Sequence, residues 1–355
     1  MNFANGLRGA FRRLSTPLLP DDYTRLVNPL WSRRELRGQI EKVNRPSDDV
    51  VELVIRPGWG VPADFRAGQY IGIGVRVDGR FVWRSYSLTN APRPADGLLS
   101  VTVKAQDQGF LSQHLVMYAT PGTVVRLAAP AGDFHLPEPV PEKLLFITAG
   151  SGITPVMSML RDLKRRGAAK PEGALSGITH IHSVRDASGQ LFADELAEMQ
   201  AQDGLTLVVR ETSKEGRLSS EDILEIESEA RQRAAEGAAY ACGPSAMLDQ
   251  LESALPGLTT ERFTLDRGNT DAQGGVVTFP GRGEIEVDGA TTILEAGEKA
   301  GVQLPYGCRM GICATCVRQL ADGTARDLRT GATHEAGERI RTCVCVPAGD
   351  VTLEA

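Results

Sequence analysis

The chain has 355 residues, of which 41% are hydrophobic and 24% charged, and its formal net charge is −6. This composition is typical of a folded protein of two or three domains and argues against intrinsic disorder. The acidic balance argues against a general nucleic-acid binder, and no apolar run reaches the roughly 18 residues that a membrane-spanning helix needs.

Residues 1–36 are predicted to be an appendage before the first domain. Apolar side chains recur at helical spacing from Phe3 to Leu14 with arginines between them, which indicates a basic amphipathic helix. Such a helix favours an anionic membrane surface or a protein partner, with a packed or frayed terminus as the plainer alternative. The arginines are not followed by an apolar core or a cleavage site, so we expect a cytoplasmic protein, peripheral at the inner face of the membrane if residues 1–20 bind lipid.

Residues 37–137 are predicted to form an antiparallel β-barrel. Short apolar segments are separated by Gly and Pro turns at regular intervals, which is typical of small all-β domains. The candidate strands are residues 50–55, 70–77, 82–88, 98–104 and 123–128.

Residues 143–257 are predicted to form a doubly wound parallel α/β domain, because strand and helix patterns alternate along this block. The candidate strands are 144–147, 178–184, 205–210 and 238–242, and the candidate helices are 155–166, 191–201, 220–230 and 244–254. His180 and His182 share one face of a strand and are predicted to be structural.

Residues 275–355 form a third block, with a hairpin over 276–287, a short helix over 292–300 and a last strand over 350–353. Five of the six cysteines fall here. A disulfide framework would spread its cysteines through a small secreted domain, so this clustering indicates a metal or cluster site.

The spacing of these cysteines is specific. Cys308, Cys313 and Cys316 follow a Cys-x4-Cys-x2-Cys pattern, and 26 residues separate Cys316 from Cys343. This is the plant-type [2Fe–2S] spacing, whereas zinc sites more often use repeated Cys-x2-Cys pairs. Cys345 rivals Cys343 as fourth ligand, because alternate residues of a strand share one face.

A second motif, Arg84-Ser85-Tyr86-Ser87-Leu88-Thr89, ends a predicted barrel strand. The guanidinium of Arg84 can bind a phosphate through two parallel hydrogen bonds. The Tyr86 ring can pack on an isoalloxazine, and a serine hydroxyl can hydrogen-bond a flavin ring nitrogen. By itself the hexapeptide is better explained as an edge strand with a surface arginine.

Two further motifs follow predicted strands of the parallel block. The segment Gly150-Ser151-Gly152-Ile153-Thr154-Pro155 opens a helix, where a pyrophosphate can bind, although a tight strand–helix turn is the alternative. The segment Tyr240-Ala241-Cys242-Gly243-Pro244 ends the last strand, at the edge where parallel sheets bind ligands. Cys242 could contact a nicotinamide there or be a small buried residue.

These four motifs occur in one order, and over residues 36–355 the chain resembles the ferredoxin–NADP reductase superfamily in its modular form with a C-terminal [2Fe–2S] domain. The resemblance implies an antiparallel flavin-binding β-barrel, a doubly wound NAD(P)-binding domain and a C-terminal β-grasp ferredoxin domain. It also implies an NAD(P)H-dependent oxidoreductase that takes electrons in pairs and releases them singly. The cofactors supply this chemistry, and the protein orients them.

The family's roles can be assigned where the motifs match. Arg84 would bind a flavin phosphate, Tyr86 would pack on the flavin, and Ser87 would lie near its N5. The turn from Gly109 to Ser112 matches the second phosphate-binding turn and favours FAD over FMN. The remaining implied site residues are Leu88 and Thr89 for the flavin; Gly150, Gly152, Thr154, Pro155, Arg185, Arg217, Cys242, Gly243 and Pro244 for the nucleotide, with Ser87 and Cys242 as the catalytic pair; and Cys308, Cys313, Cys316 and Cys343 for the cluster.

The choice between NADPH and NADH depends on what meets the ribose 2′ position, where Arg accommodates a phosphate and an acidic residue favours a hydroxyl. Arg185 and Asp186 follow one strand directly, so both signals are present. Arg210, Lys214 and Arg217 follow the next strand, which favours NADPH.

The electron acceptor is predicted from a finer resemblance. The segments 20–23, 28–31 and 35–38 are similar to bacterial reductases that serve membrane-bound di-iron acyl-CoA desaturases. A reductase of a Rieske-type or haem monooxygenase is the alternative. A binding module that has lost its cofactors is a third reading, which the intact cysteine set and the intact Arg84–Ser87 motif argue against.

Overall fold

The computed structural model describes residues 20–354 except 33–34, 63, 78–79, 107–109, 169, 264–272, 307–310 and 312–313. The predicted amphipathic stretch 3–14 therefore lies outside the described residues. Two compact units are present, divided within the hairpin at Gly74 and Ser85 and again after Glu261.

The first sheet is the predicted barrel. It is preceded by helix α1 (Pro20–Val27), and helix α2 (Phe110–Tyr118) is inserted before its last strand. β1 pairs antiparallel with β2 and β6, and β2 pairs antiparallel with β5. An antiparallel bridge between Leu88 and Val101 joins the chain after β4 to β5 and closes the sheet. The strands, in the order β4-β3-β6-β1-β2-β5, are β1 (Arg37–Ser47), β2 (Val50–Pro57), β3 (Tyr70–Val77), β4 (Arg80–Ser87), β5 (Leu99–Lys104) and β6 (Val124–Leu127).

The barrel core follows from the alternation of side chains along its strands. Val51, Leu53 and Ile55 of β2 are buried at every second position, and Glu52 and Val54 between them are partly exposed. Each buried aliphatic side chain contributes about 1.5–3 kcal/mol relative to an exposed one.

The second sheet is parallel throughout, as predicted for a doubly wound domain. Its order, β11-β10-β7-β8-β9, places β7 between β8 and β10. Successive strands are therefore added first on one side of β7 and then on the other. Ligands bind at such a switch point, beyond the carboxyl ends of the strands. The elements are β7 (Leu144–Ala149), α3 (Ile153–Gly167), β8 (Ile178–Val184), α4 (Ala193–Asp203), β9 (Thr206–Glu211), α5 (Thr212–Glu215), α6 (Ser220–Ile226), α7 (Ala230–Ala235), β10 (Ala239–Cys242), α8 (Ser245–Ala254) and β11 (Thr259–Glu261).

The helix predicted over 220–230 is two helices in the structure, α6 and α7. Glu227 leaves the helical conformation at the end of α6. Its carboxylate accepts a hydrogen bond from Thr179 Oγ1 at 3.0 Å and lies 3.4 Å from Arg233 Nη2. These tertiary contacts interrupt a segment that is helical by its local pattern.

The C-terminal sheet is mixed, with β12 parallel to β17 and antiparallel to β13. A short helix covers it, which is the predicted β-grasp arrangement. Ile293 and Leu294 of that helix join Val277 and Val344 in one core. The elements are β12 (Gly275–Phe279), β13 (Gly283–Val287), α9 (Ile293–Lys299), β14 (Val317–Asp327), β15 (Thr333–Glu335), β16 (Arg339–Arg341) and β17 (Cys345–Leu353).

No helix in the described part of the chain is both long and apolar enough to cross a membrane.

Candidate functional site

The Arg84–Thr89 motif occupies the end of β4 and the chain just beyond it. The amide of Thr89 donates to Ser100 O at 2.8 Å, which fixes the exit of the motif against β5. Among the described residues, the hydroxyls of Ser85, Ser87 and Thr89 are buried without a hydrogen-bond partner. Because a buried unpaired hydroxyl is costly, these groups fit a polar ligand such as a flavin.

Arg84 and Tyr86 alternate with the serines along β4, so they lie on the opposite face of the strand. Arg84 is half-buried, and its Nη1 donates to Trp83 O at 2.7 Å. No carboxylate of the described residues forms an ion pair with this guanidinium. It therefore fits the phosphate-binding role, while the fully buried Leu88 anchors the end of the motif in the core.

The second phosphate turn is only partly described, because Gly109 lies outside the described residues. α2 begins directly after it, at Phe110. Ser112 is buried, and its hydroxyl accepts a hydrogen bond from the amide of Gln106 at 3.1 Å. Ser112 thus connects α2 to Gln106. The sequence pattern did not predict this helix.

The nucleotide turn and the Cys242 turn meet at the carboxyl edge of the parallel sheet. β7 and β10 are in register with Thr148 beside Cys242. A Cβ atom on Gly152 would lie 2.1 Å from Cys242 O, so only glycine allows this contact. Gly150 has a φ of +54° and faces open space. The backbone at Gly150 is therefore open to the approach of a dinucleotide.

The flanking residues complete this surface. Thr154 Oγ1 donates to Ser151 O at 2.9 Å, and Pro155 lies in the first turn of α3, where a missing N–H is tolerated. A Cβ atom on Gly243 would lie 2.6 Å from the end of the Met247 side chain, which can move aside more easily than the backbone that Gly152 contacts. Pro244 caps α8 and is exposed.

Glu261 is a site residue that the sequence analysis missed. It ends β11 directly beside Cys242 of β10. Its side chain is half-buried overall, but Oε2 is enclosed, and burial raises the pKa of the carboxyl to about 8. The sequence feature that could have identified Glu261 is its position at the end of a short strand. All carboxyl ends of a parallel sheet share one edge, so this residue shares that edge with Cys242.

Cys242 is completely buried. Burial, and then the neighbouring Glu261 carboxylate, raise the pKa of the Cys242 thiol well above its usual value. The thiol is therefore neutral at physiological pH and unsuited to act as a nucleophile. Its contribution to a nicotinamide site would be packing and a weak dipole.

Asp186, the acidic residue that could meet the ribose 2′-hydroxyl, is hydrogen-bonded within its own turn. Asp186 Oδ1 accepts hydrogen bonds from Ser188 Oγ at 2.5 Å and from Gly189 N at 3.2 Å. The hydrogen bond from Ser188 lowers the pKa of this carboxyl. Arg185, the residue before it, is exposed at the end of β8.

The three basic residues at the end of β9 and after it that could meet a ribose 2′-phosphate differ in their contacts. Arg210 lies 3.0 Å from Asp222 and donates to the carbonyl oxygens of Glu215 and Gly216, so it holds its own loop together. Lys214 pairs with Glu211 at 2.8 Å. Arg217 is exposed and forms no ion pair with the described residues.

Helix α3 connects the nucleotide turn to the chain that follows the flavin motif. Ser158 Oγ donates to Asn90 O at 2.8 Å, and Arg161 Nη1 donates to Thr89 O at 2.6 Å. One turn further, Arg165 Nη1 donates to Pro92 O at 2.5 Å. Arg161 also forms a bidentate pair with Glu195, at 2.8 and 2.6 Å. The helix that begins at the nucleotide turn is thereby fixed against the flavin segment.

Of the cluster cysteines, Cys308 and Cys313 lie outside the described residues. Cys316 and Cys343 are buried, with their Sγ atoms 3.2 Å apart. This is far longer than the roughly 2.05 Å of a disulfide and about 0.6 Å shorter than the roughly 3.8 Å between two thiolates on one tetrahedral metal, so a small movement would allow both to bind the same ion. Gly311 N, with φ +71°, donates to Cys343 Sγ at 3.3 Å. The donor set and its N–H group fit an iron–sulfur cluster.

Cys345 lies in a different element from Cys343. It opens β17, whereas Cys343 lies in the turn before that strand. The expectation that the two share a strand face is therefore wrong, because strand alternation does not extend through the turn. Burial, followed by the Asp327 carboxylate, raises the pKa of the Cys345 thiol to about 12.

His180 and His182 lie in the core of the parallel sheet. Thr148 Oγ1 contacts His180 Nε2 at 2.8 Å and His182 Nδ1 at 2.7 Å. Burial lowers the pKa of His182 to about 4 and lowers the pKa of His180 well below its ordinary value. Both rings are neutral parts of the core.

Comparison with known protein families agrees with this arrangement. Residues 47–136 match the oxidoreductase FAD-binding domain, and residues 146–253 match the oxidoreductase NAD-binding domain. Residues 278–348 match the 2Fe-2S iron-sulfur cluster binding domain. The predicted cofactors FAD, NAD(P)H and [2Fe–2S] are thereby confirmed.

Individual relatives extend the similarity over the whole chain. An NADPH oxidoreductase of Mycobacterium tuberculosis is 49% identical over 360 residues, which cover 99% of this chain and 92% of the relative. A component of the 1,2-phenylacetyl-CoA epoxidase of Escherichia coli is 30% identical over 281 residues, which cover 71% of this chain and 76% of the relative.

Among solved structures, phthalate dioxygenase reductase superposes with a TM-score of 0.61 at 23% identity, covering 90% of this chain and 98% of its own. This likeness confirms the fold. The chain is an NAD(P)H-dependent oxidoreductase and belongs to the modular ferredoxin–NADP reductase superfamily with a C-terminal [2Fe–2S] domain.

Proposed function

We propose that this protein passes electrons from NADPH through FAD and the [2Fe–2S] cluster to an oxygen-activating partner protein. The observation that carries the proposal is the connection through α3. That helix begins at the nucleotide turn and is hydrogen-bonded to Thr89 at the end of the flavin motif. One rigid element thus spans the positions where hydride donor and acceptor would meet.

Bound FAD and the cluster would supply the conversion of an electron pair into single electrons. The chain's own residues bind and orient. Arg84 would hold a flavin phosphate, and the unpaired hydroxyls of Ser87 and Thr89 would hydrogen-bond the flavin. The turn at Gly150 and Gly152 would receive the pyrophosphate. We retain Cys308, Cys313, Cys316 and Cys343 as the proposed cluster ligands and 37–137, 143–257 and 275–355 as the proposed domains.

The preference for NADPH rests on Arg185 and Arg217. Both are exposed, whereas Asp186 is bonded within its own turn. The Mycobacterium tuberculosis relative, which is named for NADPH, supports the same choice.

This preference is testable with Arg185→Ala and Arg217→Ala. Loss of a charged hydrogen bond to the 2′-phosphate costs about 1.5–3 kcal/mol, so we expect the KM for NADPH to rise roughly tenfold or more. The KM for NADH should stay within about twofold, because NADH has no such phosphate. Lys214→Ala, which breaks only a surface pair, is the matched control. Equal effects on both nucleotides would contradict the assignment.

For the partner, we propose a membrane-bound di-iron fatty acyl-CoA desaturase. Support comes from the resemblance of segments 20–23, 28–31 and 35–38, and from a relative whose name refers to oxidation of an acyl-CoA. The structure adds a surface in this region. Trp31 stacks on Trp59 at a centroid distance of 4.8 Å, and Leu26 and Val27 of α1 are 78% and 75% exposed. A relative named as a glycine betaine monooxygenase reductase subunit supports the alternative of a Rieske-type or haem monooxygenase partner.

Reconstitution decides between these partners. The holoenzyme and NADPH are added to membranes that contain a candidate desaturase, and product formation is compared with the same membranes lacking the reductase. Leu26→Ser with Val27→Ser should lower turnover while ferricyanide reduction is unchanged. Turnover with a soluble ring-hydroxylating oxygenase alone would overturn the desaturase proposal.

We further propose that residues 1–20 give the protein a peripheral membrane contact. The basis is their basic amphipathic pattern. Co-sedimentation with anionic vesicles should decrease when residues 1–20 are removed. Equal sedimentation of both chains would eliminate the membrane contact and leave a protein contact.

A further inference from the structure

Three metal-ligating side chains converge in the C-terminal sheet, separate from the four cysteines proposed for the cluster. Asp327 ends β14, His334 lies in β15, and Cys345 opens β17. Their ligand atoms all lie within 4.8 Å of one another. The sheet itself sets this arrangement, because Asp327 pairs with Cys345 in the β14–β17 ladder and Ala325 pairs with His334 in the β14–β15 ladder.

Asp327 provides the first argument for a cation at this position. It is only 3% exposed, and within the described ranges no Lys, Arg or His forms an ion pair with it. Its Oδ1 accepts hydrogen bonds from the amides of Arg329 and Thr330, at 2.8 and 3.2 Å, so the other oxygen can serve as a ligand. Buried carboxylates in proteins are normally paired with a cation or coordinate a metal.

His334 provides the second argument. Its Nδ1 lies 2.7 Å from Glu338 Oε2, which fixes the ring and leaves Nε2 as the ligating atom. Metal-bound histidines commonly donate their other N–H to a carboxylate in this way. The His334 side chain is 26% exposed, which provides a path for an ion to enter from solvent.

We propose that Asp327, His334 and Cys345 bind one Zn²⁺ ion, with water as the fourth ligand. Zinc accepts a mixed set of thiolate, imidazole and carboxylate ligands in tetrahedral geometry, and the Cys345 proton passes to solvent on binding. Bond lengths of about 2.0–2.3 Å require ligand atoms roughly 3.3–3.8 Å apart, so side-chain movements of about 1 Å complete the set. The ion would join β14, β15 and β17.

The test uses the holoprotein with flavin and cluster in place. It is equilibrated with micromolar ZnCl₂ and dialysed, and zinc and iron are measured by mass spectrometry. We expect one zinc per chain with no loss of iron, and one sulfur in the zinc shell by X-ray absorption. His334→Gln should raise the zinc Kd about 100-fold and Glu338→Gln about tenfold. His114→Gln, on α2 of the barrel, is the control and should leave it unchanged.

Three results would overturn the proposal: no zinc retained, undiminished zinc binding by His334→Gln, or four sulfurs around zinc together with loss of iron. The last result would mean that zinc had replaced the cluster. Cys345→Ser should also abolish zinc binding. If that buried substitution prevents folding, His334→Gln decides the question, because its side chain is partly exposed.

Discussion

Buried ionisable side chains at the parallel sheet couple the stability of this protein to pH in two opposite directions. His180 and His182 are neutral in the core because burial lowers their pKa values. Glu261 is protonated at neutral pH because burial raises its pKa to about 8. The histidines destabilise the fold in acid, and the glutamic acid destabilises it in base.

The loss of stability in acid can be tested at His182. Its pKa is about 4 in the folded chain against 6.5 ordinarily, so the unfolded state binds the proton first. Stability is therefore complete above about pH 6.5 and lost as the pH falls towards 4, by about 2 kcal/mol at about pH 5. We expect His182→Gln to unfold at a midpoint that depends less on pH between about 7.5 and 5. His114→Gln should retain the wild-type slope, and an unchanged slope in His182→Gln would contradict the prediction.

The loss of stability in base can be tested at Glu261. The folded chain holds its proton up to about pH 8, whereas the ordinary pKa is 4.5. Stability from this group is thus complete at low pH and lost as the pH rises through 8, by about 2–3 kcal/mol from roughly pH 6 to 9. The unfolding midpoint of Glu261→Gln should be flatter over this range. Glu225→Gln, on the exposed face of α6, should behave as wild type. Parallel curves for Glu261→Gln and wild type would show that Glu261 titrates normally.

At the scale of elements, α3 carries the most consequential packing. Its donors Ser158, Arg161 and Arg165 recur at positions i, i+3 and i+7, which places them on one face of the helix. That face meets carbonyl oxygens of residues 89, 90 and 92. A helix positioned by backbone contacts keeps the nucleotide turn at a fixed place relative to the flavin motif.

Arg161→Met removes the hydrogen bond between α3 and Thr89 O, the central contact of this helix face. We expect flavin reduction by NADPH, followed by stopped-flow absorbance, to slow by about tenfold, because small displacements of reacting groups are costly. The Kd for NADPH should stay within about twofold, since the nucleotide turn itself is intact. Lys164→Met is the matched control, because among the described residues Lys164 forms ion pairs with Glu198 and Asp203 of α4 alone. A change in affinity with no change in rate would assign Arg161 to binding.

At the scale of the whole molecule, substituting a cluster cysteine distinguishes electron transfer to the flavin from electron transfer through the cluster. Cys343→Ser should lose iron while retaining flavin. Reduction of ferricyanide by NADPH should then persist within about threefold, and cytochrome c reduction should fall at least tenfold, because single electrons leave through the cluster. Cys345→Ser is the matched control and should retain its iron. Loss of iron from Cys345→Ser instead of Cys343→Ser would reverse the ligand proposal.

Local patterns determined much of this molecule in advance. The alternation in β2 and the strand–helix alternation from Leu144 onward depend only on near neighbours in sequence, so the barrel and the parallel sheet were predictable. The cysteine spacing indicated the cluster for the same reason. α2 escaped prediction because its apolar residues, Leu111 and Leu115 among them, show no clear polar face.

The sequence by itself therefore determined the fold class, the order of the domains and the cofactors, since each depends on short-range periodicity or a compact motif. Only the tertiary structure decided which distant residues become neighbours. The contact of Gly152 with Cys242, the pairing of Glu261 with Cys242 and the meeting of Asp327 with His334 and Cys345 all depend on strand register. These strands are separate in sequence, so their register is established only when one face of the folded sheet packs against the core.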